Sequence, residues 1–336
     1  MTTPIPGSQE WLDLIREPIL DPDRAIVDPH HHLWRRGGID YLLDDLWRDT
    51  ESGHRIEKTV FVECHAGYRD TGPEHLRCVG ETEFVRELAE ASARQPGKAR
   101  IAGIVAHADL RLGDALEEVI AAHVEAGGGL FRGIRHSGAR DPHPEALTIA
   151  GRAPEGLYQD PAFRRGLKRL GELGYSYDTW HYHHQNRDFA ALARAVPDTL
   201  MVLDHFGTPL GVGPYADQRE AIFEQWRRDI TEIAACPNVV AKLGGLAMPD
   251  NGFGWDRAPS PPTSDALVAA QERYYLHTID AFGPERCMFE SNFPVDRRSV
   301  SYAVLYNAFK KMAARFTDAE QEALFRGTAS RVYRLE

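Results

Sequence analysis

Residues 25–34 read AIVDPHHHLW, an aspartate and three consecutive histidines placed directly after a short apolar run. In an extended strand alternate side chains share a face, so Asp28, His30 and His32 are expected on one side and His31 on the other. Two imidazoles spaced H-x-H at a strand end can chelate one ion from the same face, and such donors suit zinc, iron or manganese. Packing has little use for that pair. Asp28 reads as a supporting or capping group, and His31 as a side chain packed against a helix.

Other residues fit for chemistry recur at comparable places. Apolar, strand-like runs occupy residues 25–32, 58–65, 100–107, 129–136, 174–183, 199–205, 238–245 and 286–292, and most of the intervening stretches carry helical periodicity. Six of the eight runs finish in, or within one residue of, a histidine: His32, His65, His107, His136, His183 and His205. Glu63 ends the second run, and Glu290 and Asn292 end the eighth. Strands alternating with helices predict a parallel sheet, and eight such units fit a TIM (β/α)8 barrel, class α/β. All strand C-termini of such a barrel open on one face, where active sites form. Arg132, Arg135 and His136 in FRGIRH are candidates to hold a substrate anion, with His136 equally a candidate ligand. Trp180 joins other aromatics near strand ends in suggesting a partly apolar pocket.

The chain reads as one domain over 1–336, with a Pro-rich arm at 1–24 and a Pro/Gly-rich lid or loop insertion at 246–266. At 43% hydrophobic and 26% charged residues it has the composition of a globular protein with a full core. Its net charge of −11 argues against nucleic acid as the main partner. The N-terminus lacks the basic and apolar regions of a signal peptide, and no apolar run approaches the roughly 20 residues that span a bilayer. With four scattered cysteines and no C-x-x-C pair, a reduced, cytoplasmic protein is expected. No flavin, nicotinamide or P-loop motif is present.

D-x-H-x-H on the first run, LDHFG on the sixth, VAKLGGL on the seventh and MFESNFPVD on the eighth together resemble the amidohydrolase-related (amidohydrolase 2) family. The resemblance implies a distorted (β/α)8 barrel, up to two divalent metal ions, a homodimer, and an activity among lactonases, nonoxidative decarboxylases and hydratases. By position His30 and His32 match the family's first-strand pair, His183 its fifth-strand histidine and His205 its sixth-strand one. One departure stands out. Family hydrolases usually end the eighth strand in S-D-x-P, with the aspartate as metal ligand and general base, whereas this chain reads Ser291-Asn292-Phe293-Pro294. An amide has no proton-accepting carboxylate, and such bases typically contribute about 10²–10⁴-fold in rate. Either Glu290 takes that role or the chemistry is not hydrolysis.

Glu63 is a compensating carboxylate, placed to ligate or bridge two metals. The combination DPHHHLW, FVECH and FESNFPVD is similar to a branch containing dinuclear nonheme iron hydroxylases. That resemblance ranks first a monooxygenase acting on a small organic acid or natural-product intermediate, with two iron ions (or iron with manganese), O₂ and an external electron donor. His30, His32, Glu63, His183 and His205 would be ligands, with His107 and Asn292 ligating or beside them. Ranked second is a zinc- or manganese-dependent hydrolase of a lactone or ester, in which Arg132 and Arg135 hold a substrate carboxylate.

Overall fold

The eight apolar runs form eight parallel strands in the computed structural model, which describes residues 4–335. They are β1 (Ala25–His31), β2 (Arg55–Val62), β3 (Arg100–Ala106), β4 (Phe131–Arg135), β5 (Ser176–Thr179), β6 (Met201–Leu203), β7 (Val239–Leu243) and β8 (Cys287–Phe289). They pair in sequence order from β1 to β8. The ring closes where His31 bridges Phe293: the His32 amide donates to the Phe293 carbonyl at 2.8 Å and the Asn292 amide to the His30 carbonyl at 3.0 Å. Each connection carries a helix, as between β2 and β3 (Val79–Ala93) and between β7 and β8 (Ser264–Phe282). The architecture is the expected TIM (β/α)8 barrel.

The strands are shorter than the apolar runs. β6 and β8 hold three residues each and β5 four, because the chain leaves extended geometry just before the functional side chains. His65, His205, Phe206 and Asn292 all have positive φ, between 54° and 59°. Side chains rarely adopt that conformation without support from the surrounding fold, and its cost is commonly met at functional sites. His65 and His205 therefore sit on loops at one mouth of the barrel, whereas His30 still belongs to the end of β1.

Below the mouth the interior is dry. Val27, Val60, Val62, Ala102, Val105, Val202, Val240 and Met288 point inward, and Val332, Tyr333 and Leu335 from the C-terminal segment close the bottom. Their alternating neighbours, among them Ile26, Phe61, Ile104 and Leu203, pack outward against the helices. Complete burial of each such aliphatic side chain contributes about 1.5–3 kcal/mol.

Strict alternation fails in β1. Asp28 pairs with Thr59 but His31 with Phe61, so three steps on β1 meet two on β2. This bulge turns Asp28 outward, where its carboxylate accepts from the Ser291 hydroxyl (2.5 Å), the Ser291 amide (2.9 Å) and the Tyr302 hydroxyl (2.9 Å). The expectation that Asp28 shares a face with His30 and His32 is thus corrected. His31 faces the opposite way, beside Thr59 and Phe61.

Within the arm, Trp11 is fully buried and its indole donates to Ala258, while Glu17 accepts from Ser264 and Asn307. Residues 1–3 of the arm lie outside the described residues. Leu246 to Asn251 are buried, with the Asp250 carboxylate accepting from the Thr148 and Ile149 amides; the following residues are partly exposed. No helix among the described residues is long and apolar enough to cross a membrane.

Candidate active site

Tautomers divide the mouth histidines into two kinds, because the partner of one ring nitrogen decides which nitrogen keeps a lone pair. His32 donates its Nδ1–H to the Val62 carbonyl (2.8 Å), His107 to the Arg135 carbonyl (3.1 Å) and His205 to Glu290 Oε1 (2.7 Å). His30 Nδ1 lies 2.7 Å from Glu290 Oε2, closer than the 3.3 Å to the Lys242 ammonium, and Arg135 Nη1 approaches His30 Nε2 at 3.5 Å. Lysine and arginine can only donate, so His30 faces a donor at each ring nitrogen. His32, His107 and His205 present Nε2 lone pairs. By contrast, His136 Nδ1 accepts from the Leu110 amide (3.2 Å) and His183 Nδ1 from the Leu210 amide (3.3 Å). Both neutral rings then carry the proton on Nε2. His183, the expected fifth-strand ligand, lies in the turn after β5 against His184 and Tyr215.

His30 Nε2 and His32 Nε2 stand 3.2 Å apart in complete burial, close enough to share one proton or one cation. Burial and neighbouring cations drive both rings well below the ordinary histidine range, so they stay neutral and able to ligate. His205, its ring centroid 4.6 Å from that of His30, is likewise held neutral, pushed down to about 3 by burial.

Beneath these rings lies an ionic cluster. Lys242 contacts Asp178 at 2.8 Å and Asp204 at 3.1 Å, and the Tyr333 hydroxyl rises from the floor to donate to Asp178 at 2.5 Å. Arg135 donates through Nε to Glu63 Oε1 (2.8 Å), through Nη2 to the Glu63 carbonyl, and lies 3.6 Å from Asp204. Four buried carboxylates (Glu63, Asp178, Asp204, Glu290) thus face two buried cations. The surplus shows in their proton affinities. Burial, with Lys242 opposing and Asp28 reinforcing it, pushes Glu290 up to about 8; burial likewise raises Asp204 to about 6. Glu63 goes the other way, to about 2: burial raises it, but Arg135, His107 and His65 together outweigh that. A divalent cation would balance the excess, and Glu63 Oε2 is buried without a hydrogen-bond partner. The donor set fits such an ion, with His30, His32 and His205 as its imidazole ligands.

Glycines make room for the dyad. A Cβ on Gly244 would meet Glu290 Cγ at 2.5 Å, and one on Gly245 would meet His205 Nδ1 at 2.4 Å. The GG after β7 is therefore required by the Glu290–His205 contact.

Several expectations change. Arg132, at the start of β4, donates to the Gly129 and Ala102 carbonyls and lies against Arg334 at the opposite end of the barrel. It cannot hold a substrate at the mouth. Asn292 spends its amide on Asp296 Oδ1 (2.9 Å) and acts as a latch in the closing turn. Glu290 is fully buried and bound to two histidines, so it positions rings and does not meet water as a base. Glu63 Oε1 belongs to Arg135, which leaves one oxygen free and removes the bridging role. Trp180 stays near the mouth after β5, its indole bonded to the Thr208 hydroxyl at 3.0 Å. Asp178, Asp204, Lys242 and Tyr333 escaped sequence reasoning; single charges inside the apolar runs SYDT and VVAKL were the available signal.

Residues 27–335 match the amidohydrolase family, and the chain belongs to it. Over 327 residues it is 30% identical to an L-fucono-1,5-lactonase of Burkholderia multivorans, spanning 92% of this chain and 96% of that protein. An L-rhamnono-gamma-lactonase of Scheffersomyces stipitis is 24% identical over 311 residues, 80% and 85% of the two chains. A crystal structure of an amidohydrolase from Burkholderia multivorans with bound zinc is 30% identical, with a TM-score of 0.72 over 93% of this chain and 100% of that one. These relatives overturn the first-ranked monooxygenase. They give no support to the iron preference, O₂, the electron donor or the likeness to iron hydroxylases.

Proposed function

We propose that this amidohydrolase-family protein is a metal-dependent hydrolase that opens a lactone ring, with a sugar-derived lactone as substrate. The observation that carries this reading is the His30/His32 pair, two fully buried Nε2 atoms 3.2 Å apart. Similarity to sugar lactonases supports the substrate class, and zinc in a related structure supports the metal.

His30, His32 and His205 would hold a divalent ion, which would supply Lewis acidity toward the lactone carbonyl and toward water, whose pKa such an ion lowers to about 7, and would make up for the missing carboxylate at Asn292. The protein's own groups do the rest. Glu290 Oε1 holds the His205 Nδ1 proton and keeps its Nε2 aimed as an acceptor. Arg135 fixes Glu63 and, beside His30, presents positive charge to the oxygen that becomes anionic as the ring opens. His136 and His183 offer Nε2–H to the hydroxyls of a polyhydroxylated ring, and Trp180 forms an apolar wall.

Zinc-loaded protein is expected to hydrolyse members of a panel of 1,4- and 1,5-aldonolactones, read as acid release with a pH indicator. In His30→Ala the value of kcat/KM should fall by about 10³-fold or more while circular dichroism stays unchanged. A zinc-loaded, folded protein that leaves every lactone intact contradicts the proposal.

A further inference from the structure

Glu63 Oε2 is the most exacting loose end at the mouth. Glu63 is 3% exposed, its Oε1 is committed to Arg135, and its Oε2 is buried with no hydrogen-bond partner. Leaving such an oxygen unsatisfied is costly, and more so for a charged group. Two histidines surround it. His65 Nε2 is 3.6 Å away, and the nearest ligand atoms of Glu63, His65 and His107 all lie within 4.8 Å of one another. His107 Nδ1–H is bound to the Arg135 carbonyl, so Nε2 is the atom with a lone pair. The His65 and His107 ring centroids are 5.2 Å apart.

We infer that Glu63, His65 and His107 form a second, mononuclear site for a divalent transition-metal ion at the rim of the mouth. Bonds of about 2.1 Å place neighbouring ligand atoms about 3–3.4 Å apart, so the cluster needs to close by only a fraction of an ångström per ligand. His65, its side chain 63% exposed, stands on a loop at the rim beside Tyr68 and His107. Two imidazoles and one carboxylate make a three-ligand set with positions left open to solvent or substrate. Arg135 separates this site from the His30/His32 pair, with Nε on Glu63 and Nη1 towards His30. The two ions would be held apart by a guanidinium rather than joined by a carboxylate. The inference stands on these residues and does not depend on the lactonase reading.

Cobalt(II) titrated into the metal-free protein, followed by its visible absorption and by metal analysis after gel filtration, tests the site. Wild-type protein should bind two ions per chain. His65→Ala and the double variant His65→Ala/His107→Ala should each retain one, and His30→Ala/His32→Ala should retain the other, with a different spectrum. His65 is exposed, so its variant is expected to fold even where the double variant does not, with circular dichroism as the check. A wild-type protein that saturates at one ion overturns the inference. So do two ions persisting in folded His65→Ala/His107→Ala. Two ions bound without hydrolysis of any lactone would count against the proposed function and leave this site standing.

Discussion

The two halves of the barrel interior use the same strands for opposite purposes. Its lower half is lined by valines, alanine and methionine and stoppered by Tyr333, and every group there is satisfied by packing. Its upper half packs four carboxylates, two cations and four ligand-type histidines into an equally buried volume, with Glu63 Oε2 left unpaired. The lower half is a source of stability, whereas the upper half draws on it. Position along the strand, not residue burial, separates the two roles.

The two arginines of β4 are the strongest way to break that contrast. Arg135→Ala should destabilise the protein by about 3–5 kcal/mol, because it strands the Glu63 carboxylate in a buried site. It should also abolish detectable turnover. Arg132→Ala, three residues earlier on the same strand, should leave kcat and KM unchanged. Urea melts and steady-state kinetics on both variants decide it; equal loss of activity would place Arg132 back in the site.

A smaller effect is expected from exchanging one residue in each half. Val202→Ala should cost about 2 kcal/mol of stability and leave kcat per folded molecule intact. Glu290→Gln should do the reverse, lowering metal affinity or kcat about 10–100-fold while stability holds or rises, since it removes a surplus buried charge. Thermal melts alongside kinetics read both, and a Glu290→Gln protein of full activity would sink the positioning role.

The smallest effect is a slope with pH. Burial pushes His54, His123 and His181 down to about 4 from an ordinary 6.5. At these three rings the folded chain binds fewer protons than the unfolded one in acid. Their contribution to stability should be full above pH 6.5 and fall as pH drops through about 4. In His181→Gln the slope should ease by one proton, about 1.4 kcal/mol per pH unit. A flat stability profile across that window would contradict the buried neutral state.

Fold and mouth were legible because hydrophobic runs ending in histidine are a strong periodic signal. The His30/His32 pair, Glu63, His107 and His205 all came to one mouth, since a parallel barrel delivers every strand end to the same face. What could not be read has local causes. The β1 bulge moved Asp28 outward, and no alternation rule anticipates a bulge. Arg132 and Arg135 look alike in FRGIRH, yet three residues of strand carry one of them to the opposite end of the barrel. His183 was assigned by position, which does not reveal the amide donor that meets its Nδ1 from Leu210, 27 residues on. Lys242 and Asp178 were visible as lone charges in apolar strands, but their partnership exists only across the closed ring.

The central claim is that a metal-loaded mouth adds water to a lactone. Anaerobic turnover of an aldonolactone in ¹⁸O-enriched water, followed by mass spectrometry of the product, tests it most directly. The account predicts an acid carrying one ¹⁸O from solvent, formed at the same rate without O₂, lost on chelation and restored by zinc. Product lacking solvent oxygen, or turnover that requires O₂, would contradict it.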